Sequence, residues 1–368
     1  MDSDQPMSGP LSGLRFVEIA GIGPAPLVCM VLADLGATGI RIDSPRPGLS
    51  MGDPARDITR RGRPSITLDL RTEADRAQAL RLIASADVLI EGMRPGAMER
   101  LHLGPDECHE TNPALVYARM TGWGQDGPYA RVAGHDLTYL AAAGVLAHIG
   151  RRDDAPTPPL NLVADCGGGA MLCLVGLLAA LWEAQRSGVG QVVDAAMIDG
   201  SSLLMSLFHA MRNQGLWSLE RGVNILDSGA PFYDVYRTAD DGWLALACLE
   251  PQFYAAWLQI AGLVDVDLPV QYDISGWPRL REEFTRVIAS RTREEWAASV
   301  SGTDACAEVV LTMDEAARHP QLAARATIIG VEGHEGDIQA APAPRFSRTP
   351  GRIRTDTEVT GLLREWGL

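Results

Sequence analysis

Residues 14–43 read LRFVEIAGIGPAPLVCMVLADLGATGIRID. Leu14–Ile19 is a short apolar run suited to a strand, Pro26–Leu35 has the apolar spacing of a helix, and Gly39–Asp43 returns to strand-like residues. The alternation continues outward, with strand signals at Ile66–Leu70, Val88–Ile90 and Leu115–Met120 and a helical pattern at Thr72–Ala84. Strands and helices alternating over short connections build a parallel sheet covered by helices. The expected fold class is therefore α/β, with an open, mostly parallel sheet in a large domain. The turn Gly21-Ile22-Gly23-Pro24-Ala25-Pro26 falls where a dinucleotide fingerprint would sit. It lacks the third glycine of G-x-G-x-x-G and is interrupted by prolines, which argues against a nicotinamide cofactor.

The 368 residues, 46% hydrophobic and 21% charged, have an ordinary globular balance. They suffice for one large core and a second domain. A formal net charge of −15 argues against nucleic acid or an anionic membrane as partner. All 32 residues of the Lys+Arg count are arginine. With no lysine there is no Schiff base for pyridoxal phosphate and no P-loop for a nucleoside triphosphate. Six cysteines, at 29, 108, 166, 173, 248 and 306, contain no C-x-x-C pair and read as reduced, small apolar side chains. Met1–Gly13 is acidic and rich in Pro and Gly, unlike a secretory signal. The longest apolar run, Ala170–Trp182, falls short of the roughly 18 residues of a membrane span. A soluble, cytoplasmic protein with no membrane partner is expected.

Two segments carry chemistry. Gly134-His135-Asp136-Leu137-Thr138-Tyr139-Leu140 reads as a turn running into an apolar helix. Asn161-Leu162-Val163-Ala164-Asp165-Cys166-Gly167-Gly168-Gly169 sets Asp165 at the N-cap of another. An imidazole and a carboxylate, each near backbone N–H groups, suit a reaction that removes a proton beside a carbonyl and returns one. A helix-start N–H, best that of Asp136, would donate to the enolate oxygen. Taken singly, these residues are also ordinary caps, and Glu250 before Pro251 is an ordinary helix-start acid. Histidines 102, 109, 148, 209, 319 and 334 show no ligand spacing, so no metal is expected. Asp199-Gly200-Ser201-Ser202 is not a G-x-S-x-G elbow.

Six arginines (Arg41, Arg46, Arg56, Arg60, Arg61, Arg63) stand against three aspartates between positions 41 and 63. They form either a solvated loop or an anion site, since guanidinium groups match phosphate with paired hydrogen bonds. Arg94-Pro95-Gly96, just after a strand end, adds a candidate at the edge where open α/β sheets bind ligands. The methionines and aromatics of Met205–Trp217 read as core or as an adaptable acyl surface.

Several well-spaced segments together resemble the α-methylacyl-CoA racemases of the family III CoA-transferase superfamily, the CaiB/BaiF type. They are Gly13–Glu18, Arg61–Leu70, Glu91–Gly96, Met120–Gln125, Gly134–Asp136, Asn161–Gly169, Gly190–Ala196 and Leu249–Phe253. The resemblance implies a Rossmann-like large domain, a smaller α+β domain and an interlocked homodimer. It also implies acyl-CoA thioester substrates, with coenzyme A part of the substrate and no separate cofactor. Carried over residue by residue, it makes His135 and Asp165 the catalytic bases and Glu250 the support of the histidine. Arg41, Arg46, Arg61, Arg63, Leu68, Leu70, Arg94, Arg100, Tyr139 and Asn161 become substrate or CoA contacts.

The same resemblance implies inversion of the α-carbon of a 2-methylacyl-CoA. Transferases of the superfamily generally lack a histidine at the His135 position and several carry a glycine-tetrad lid, absent from Leu226–Pro231 here. CoA transfer through an acyl anhydride on Asp165, or non-catalytic thioester binding, are the alternatives. The domains expected are 1–200 with 331–368 returning to it, a linker over 201–230, a small domain over 231–318 and a return linker over 319–330.

Overall fold

Gly39 leaves its side of the sheet empty because Phe16 fills it: a Cβ there would lie 2.1 Å from the Phe16 ring. The two residues are in register where strand β1 (Arg15–Ile19) pairs parallel with β2 (Thr38–Asp43). Four more strands extend this pair: β3 (Ser65–Thr67), β4 (Val88–Glu91), β5 (Val116–Thr121) and β6 (Val192–Ala196). All pair parallel, in the order β3-β2-β1-β4-β5-β6. Phe16, Val17, Ile40, Leu89, Ile90 and Tyr117 are completely buried, as in a sheet covered on both faces. The order reverses between β1 and β4, which opens a crevice beyond the strands' carboxyl ends.

The computed structural model describes residues 9–46, 48, 52–355 and 358–368. Most of the Met1–Gly13 reading, and residues 47 and 49–51 of the arginine-rich loop, therefore lie outside the described residues. The described chain forms two compact units. The first comprises residues up to 143, 159–206 and 326–368, and the second comprises 144–158 and 207–325. Residues 144–158 thus depart from the unbroken 1–200 stretch expected from the sequence and join the second unit. In the first unit the C-terminal helix Val359–Trp366 returns Leu362 and Trp366 to the core under the sheet.

The second unit is α+β. Strands β7 (Tyr233–Arg237), β8 (Trp243–Ala247) and β9 (Ala307–Val309) form an antiparallel sheet. Phe232, Trp257, Phe284 and Trp296 fill its core completely buried. Inside the same unit, Arg151 and Arg281 both pair with the buried Asp234, and Arg221 donates to the carbonyls of Ala147 and Arg151. Those bonds hold the 144–158 segment in place.

Two helical expectations change. The apolar spacing of Asp199–Asn213 predicts one helix, and the structure has two, Met197–Leu204 and Ser206–Asn213, parted at Met205. The apolar run Ala170–Trp182 extends into a 26-residue helical stretch, Leu162–Ser187, whose most apolar 18-residue window has mean hydropathy 1.9. By length and composition this helix could cross a membrane, and 39% of its apolar window is buried. The sequence reading stopped short because Asp165 and three glycines interrupt the apolar pattern.

Candidate active site

The first unit brings His135 and Asp165 together through two helix starts. His135 is the N-cap of helix Asp136–Ala142, with an extended backbone. Thr138 closes the cap, its hydroxyl accepting from the His135 N–H at 2.9 Å and donating to the His135 carbonyl at 2.7 Å. The imidazole is left exposed. Asp136, the next residue, is buried, and its Oδ2 accepts from the backbone N–H groups of Ala164 at 2.9 Å and Asp165 at 2.8 Å. One carboxylate therefore ties the histidine's helix to the aspartate's.

Asp165 is not an N-cap, as its position before three glycines suggested. It lies inside a π-helix, Leu162–Met171, marked by the wide Cys166 N–H to Asn161 carbonyl bond. Such wide turns are uncommon and cluster at functional sites. The glycines serve packing instead. A Cβ on Gly168 would lie 2.7 Å from the Ser201 nitrogen, and one on Gly169 2.9 Å from the Ala164 carbonyl oxygen. Small residues thus let helix Met197–Leu204 press on the π-helix and fix the direction of Asp165.

Three neighbours surround the Asp165 carboxyl. Asn161 donates to its Oδ2 at 3.3 Å. Gly23, in the loop after β1, leaves open space where a Cβ would stand 3.8 Å from the same oxygen. The carboxyl therefore faces the crevice at the carboxyl end of the sheet. Tyr139 is the third, its hydroxyl pushed up by burial and by the charge of Asp165. Its ring fills the room left by Gly122 and Gly134, where added Cβ atoms would come within 2.0 and 2.5 Å, and meets Trp123 edge-on at 4.9 Å.

Burial raises the Asp165 carboxyl above its ordinary range, and the nearby Asp136 charge raises it further; the Asn161 bond and His135 pull it down. A half-buried carboxyl raised above its ordinary range thus lies beside an exposed imidazole. Among the described residues no cluster of three or more His, Cys, Asp or Glu could hold a metal ion.

The model of CoA-transferase family III matches residues 11–357. The chain belongs to that family. It is 43% identical to the alpha-methylacyl-CoA racemase of Mus musculus over 97% of this chain and 93% of that protein. The Homo sapiens alpha-methylacyl-CoA racemase is also 43% identical, over 92% of this chain and 87% of its own length. A solved CAIB/BAIF family protein from Brucella suis shares the fold at TM-score 0.78 and 25% identity, covering 97% of this chain and 99% of its own.

Within this family III chain, the arginines expected to hold CoA divide sharply. Arg63 is fully buried and Arg41 nearly so, and both pair with the buried Glu18. Arg41 also bonds Asp43 at 2.9 Å. Arg61 donates to Asp34 at 3.0 Å and to Gln339 at 2.8 Å. These three guanidiniums are each engaged by a carboxylate of the same unit, and β2, buried along nearly its whole length, keeps Arg41 inside. Leu68 likewise is core, and Leu70 packs against the same cluster. Arg46 is exposed and bonds Asp69 at 3.0 Å, while Arg94 and Arg100 are exposed beyond the β4 end.

Glu91, at the end of β4, anchors that corner. Buried, it accepts from the Met93 N–H at 2.6 Å and from Arg119 at 3.2 Å, and burial pushes its carboxyl up to about 7. Its signal in the sequence was an acid closing an apolar strand. Glu250 is the exposed N-cap of helix Pro251–Ala261 in the second unit, where its charge helps raise Tyr272 and Cys306.

Proposed function

We propose that this enzyme is a racemase that inverts the α-carbon of 2-methylacyl-CoA thioesters, with His135 and Asp165 as its two acid–base groups. The observation that carries the reading is the likeness to the mouse and human racemases, sustained over nearly the whole chain. The geometry supports it: an exposed imidazole at one helix start and a half-buried carboxyl near the loop after β1 are tied together through Asp136.

The thioester carbonyl acidifies the α-proton. One group removes it, leaving a planar enolate, and the conjugate acid of the other returns a proton to the opposite face. The roles exchange when the reaction runs backwards. The Asp136 N–H opens its helix without an intrahelical acceptor and would stabilise the enolate oxygen. The exposed Arg46, Arg94 and Arg100 would meet the CoA phosphates. Beyond coenzyme A, which is part of the substrate, the chemistry calls for no cofactor.

The reading extends to a large domain completed by the C-terminal segment, a small domain beyond residue 230, and a cytoplasmic homodimer. The exposed apolar positions Val175, Leu178 and Trp182 on helix Leu162–Ser187 would be covered by a second copy rather than by lipid. CoA transfer is the second reading, favoured by the family's name and by a carboxylate, Asp165, suited to attack the thioester carbonyl. Incubating a 2-methylacyl-CoA in D₂O and following α-deuteration by NMR separates the two. Exchange with inversion is the expected result; no exchange, with CoA passing to an added carboxylate, overturns the racemase.

A further inference from the structure

We propose that Asp136 is a positioning residue for Asp165: its carboxylate holds the Asp165 backbone through two N–H groups and lays a second negative charge beside the Asp165 carboxyl. The inference deepens the racemase reading and rests on it for its catalytic meaning, but its physical core does not.

Three observations support it. Asp136 is only 6% exposed, and its Oδ2 is engaged by Ala164 and Asp165 at 2.9 and 2.8 Å. Among the described residues nothing donates to its other oxygen, Oδ1, which is buried. A plain helix clamp needs one oxygen; a buried carboxylate with the second unsatisfied carries a desolvation cost that an amide in its place would reduce. The third observation is electrostatic. Of the groups around Asp165, His135 and Asn161 favour its charged form, whereas burial and Asp136 oppose it. The remaining titratable neighbours, Tyr139 and Cys166, are themselves raised by burial and by the Asp165 charge. Among the described residues around Asp165, Asp136 is therefore the charged neighbour that drives it toward holding its proton. A carboxyl must be held high to serve as proton donor as well as base near neutral pH, because its ordinary range would leave it ionised almost always.

Asp136→Asn tests this. Asparagine keeps an oxygen for both N–H groups, keeps the Asp136 backbone donor and removes only the charge. With ¹³C-labelled aspartate, the Asp165 carboxyl signal, identified by its loss in Asp165→Asn, is titrated by NMR. It should move down by at least roughly half a pH unit. The acidic limb of the α-exchange profile should move with it, while KM stays within about twofold of wild type. In Asp136→Ala, exchange of the Ala164 and Asp165 amides should also accelerate. An Asp165 titration unchanged in a folded Asp136→Asn protein overturns the proposal and leaves Asp136 a helix clamp. If the titration shifts but no α-exchange occurs in wild type, the racemase reading fails and the positioning of Asp165 stands.

Discussion

A Cβ atom on Gly200 would lie 1.9 Å from the carbonyl oxygen of Gly168. The two glycines let backbones of helix Met197–Leu204 and the π-helix Leu162–Met171 touch, and the π-helix carries Asp165. Backbone cannot swing aside as a long side chain can. Gly200→Ala is therefore expected to cost about 1–3 kcal/mol of stability through overpacking. Urea unfolding should show a lower midpoint with an unchanged slope. A neutral substitution would mean that the two helices separate without cost.

The buried arginines lead to a second contrast. Removing Arg63 leaves Glu18 with Arg41 alone in the core, and breaking a buried pair costs about 3–5 kcal/mol. Arg63→Ala is expected to lose folded protein. Arg94→Ala and Arg100→Ala, both at exposed positions, should change stability by no more than about 0.5 kcal/mol. If their guanidiniums meet CoA phosphates, each should instead raise KM roughly tenfold or more, as a charge-assisted hydrogen bond is lost. Equal KM for wild type and both variants would remove these arginines from the CoA site.

The same contrast shows what was legible in the sequence. The β-α-β rhythm from Leu14 to Asp43 sufficed for the parallel sheet, because fully buried strands read as continuous apolar runs. The short apolar run Trp243–Ala247 predicts a strand from the sequence, and β8 spans those same residues. His135 at a helix start was legible from its turn and the apolar pattern after it. The place of Asp165 was not: N-cap and π-helix look alike before a glycine run, and the wide Cys166 N–H to Asn161 carbonyl bond that tells them apart is a backbone feature. Nor could clustering of arginines show which ones face carboxylates, since Glu18 and Asp34 are distant in sequence from Arg63 and Arg61. The side chain of Asp136 was equally hidden, because its partners Ala164 and Asp165 come from another segment.

Glu91 predicts a pH dependence of stability. Burial raises its folded pKa from 4.5 to about 7, against the pull of Arg119 and the Met93 N–H. Between those values the folded state binds more protons than the unfolded chain, so stability falls as pH rises across that window. Glu91→Gln removes this titration. Unfolding free energies at a series of pH values should show wild type losing stability relative to Glu91→Gln from pH 4.5 to about 7, then running parallel. A difference that does not change with pH would mean that Glu91 keeps its ordinary carboxylate range.

The decisive catalytic test rests on His135, since Asp165 would be essential to a racemase and to a transferase alike. His135→Ala and Asp165→Ala are each expected to slow α-deuteration on the order of 10²–10⁴-fold, the usual contribution of a positioned acid or base. Binding of the thioester, read by calorimetry, should persist in both. The pH profile adds a sign. In the direction where Asp165 takes the proton it must be ionised, and burial with the Asp136 charge holds it high. Activity should therefore fall with acidification at a pH above the ordinary carboxylate range, not within it. Full α-exchange in His135→Ala would take the imidazole out of the mechanism. Retained CoA transfer in His135→Ala, with α-exchange absent from wild type, would make Asp165 a nucleophile.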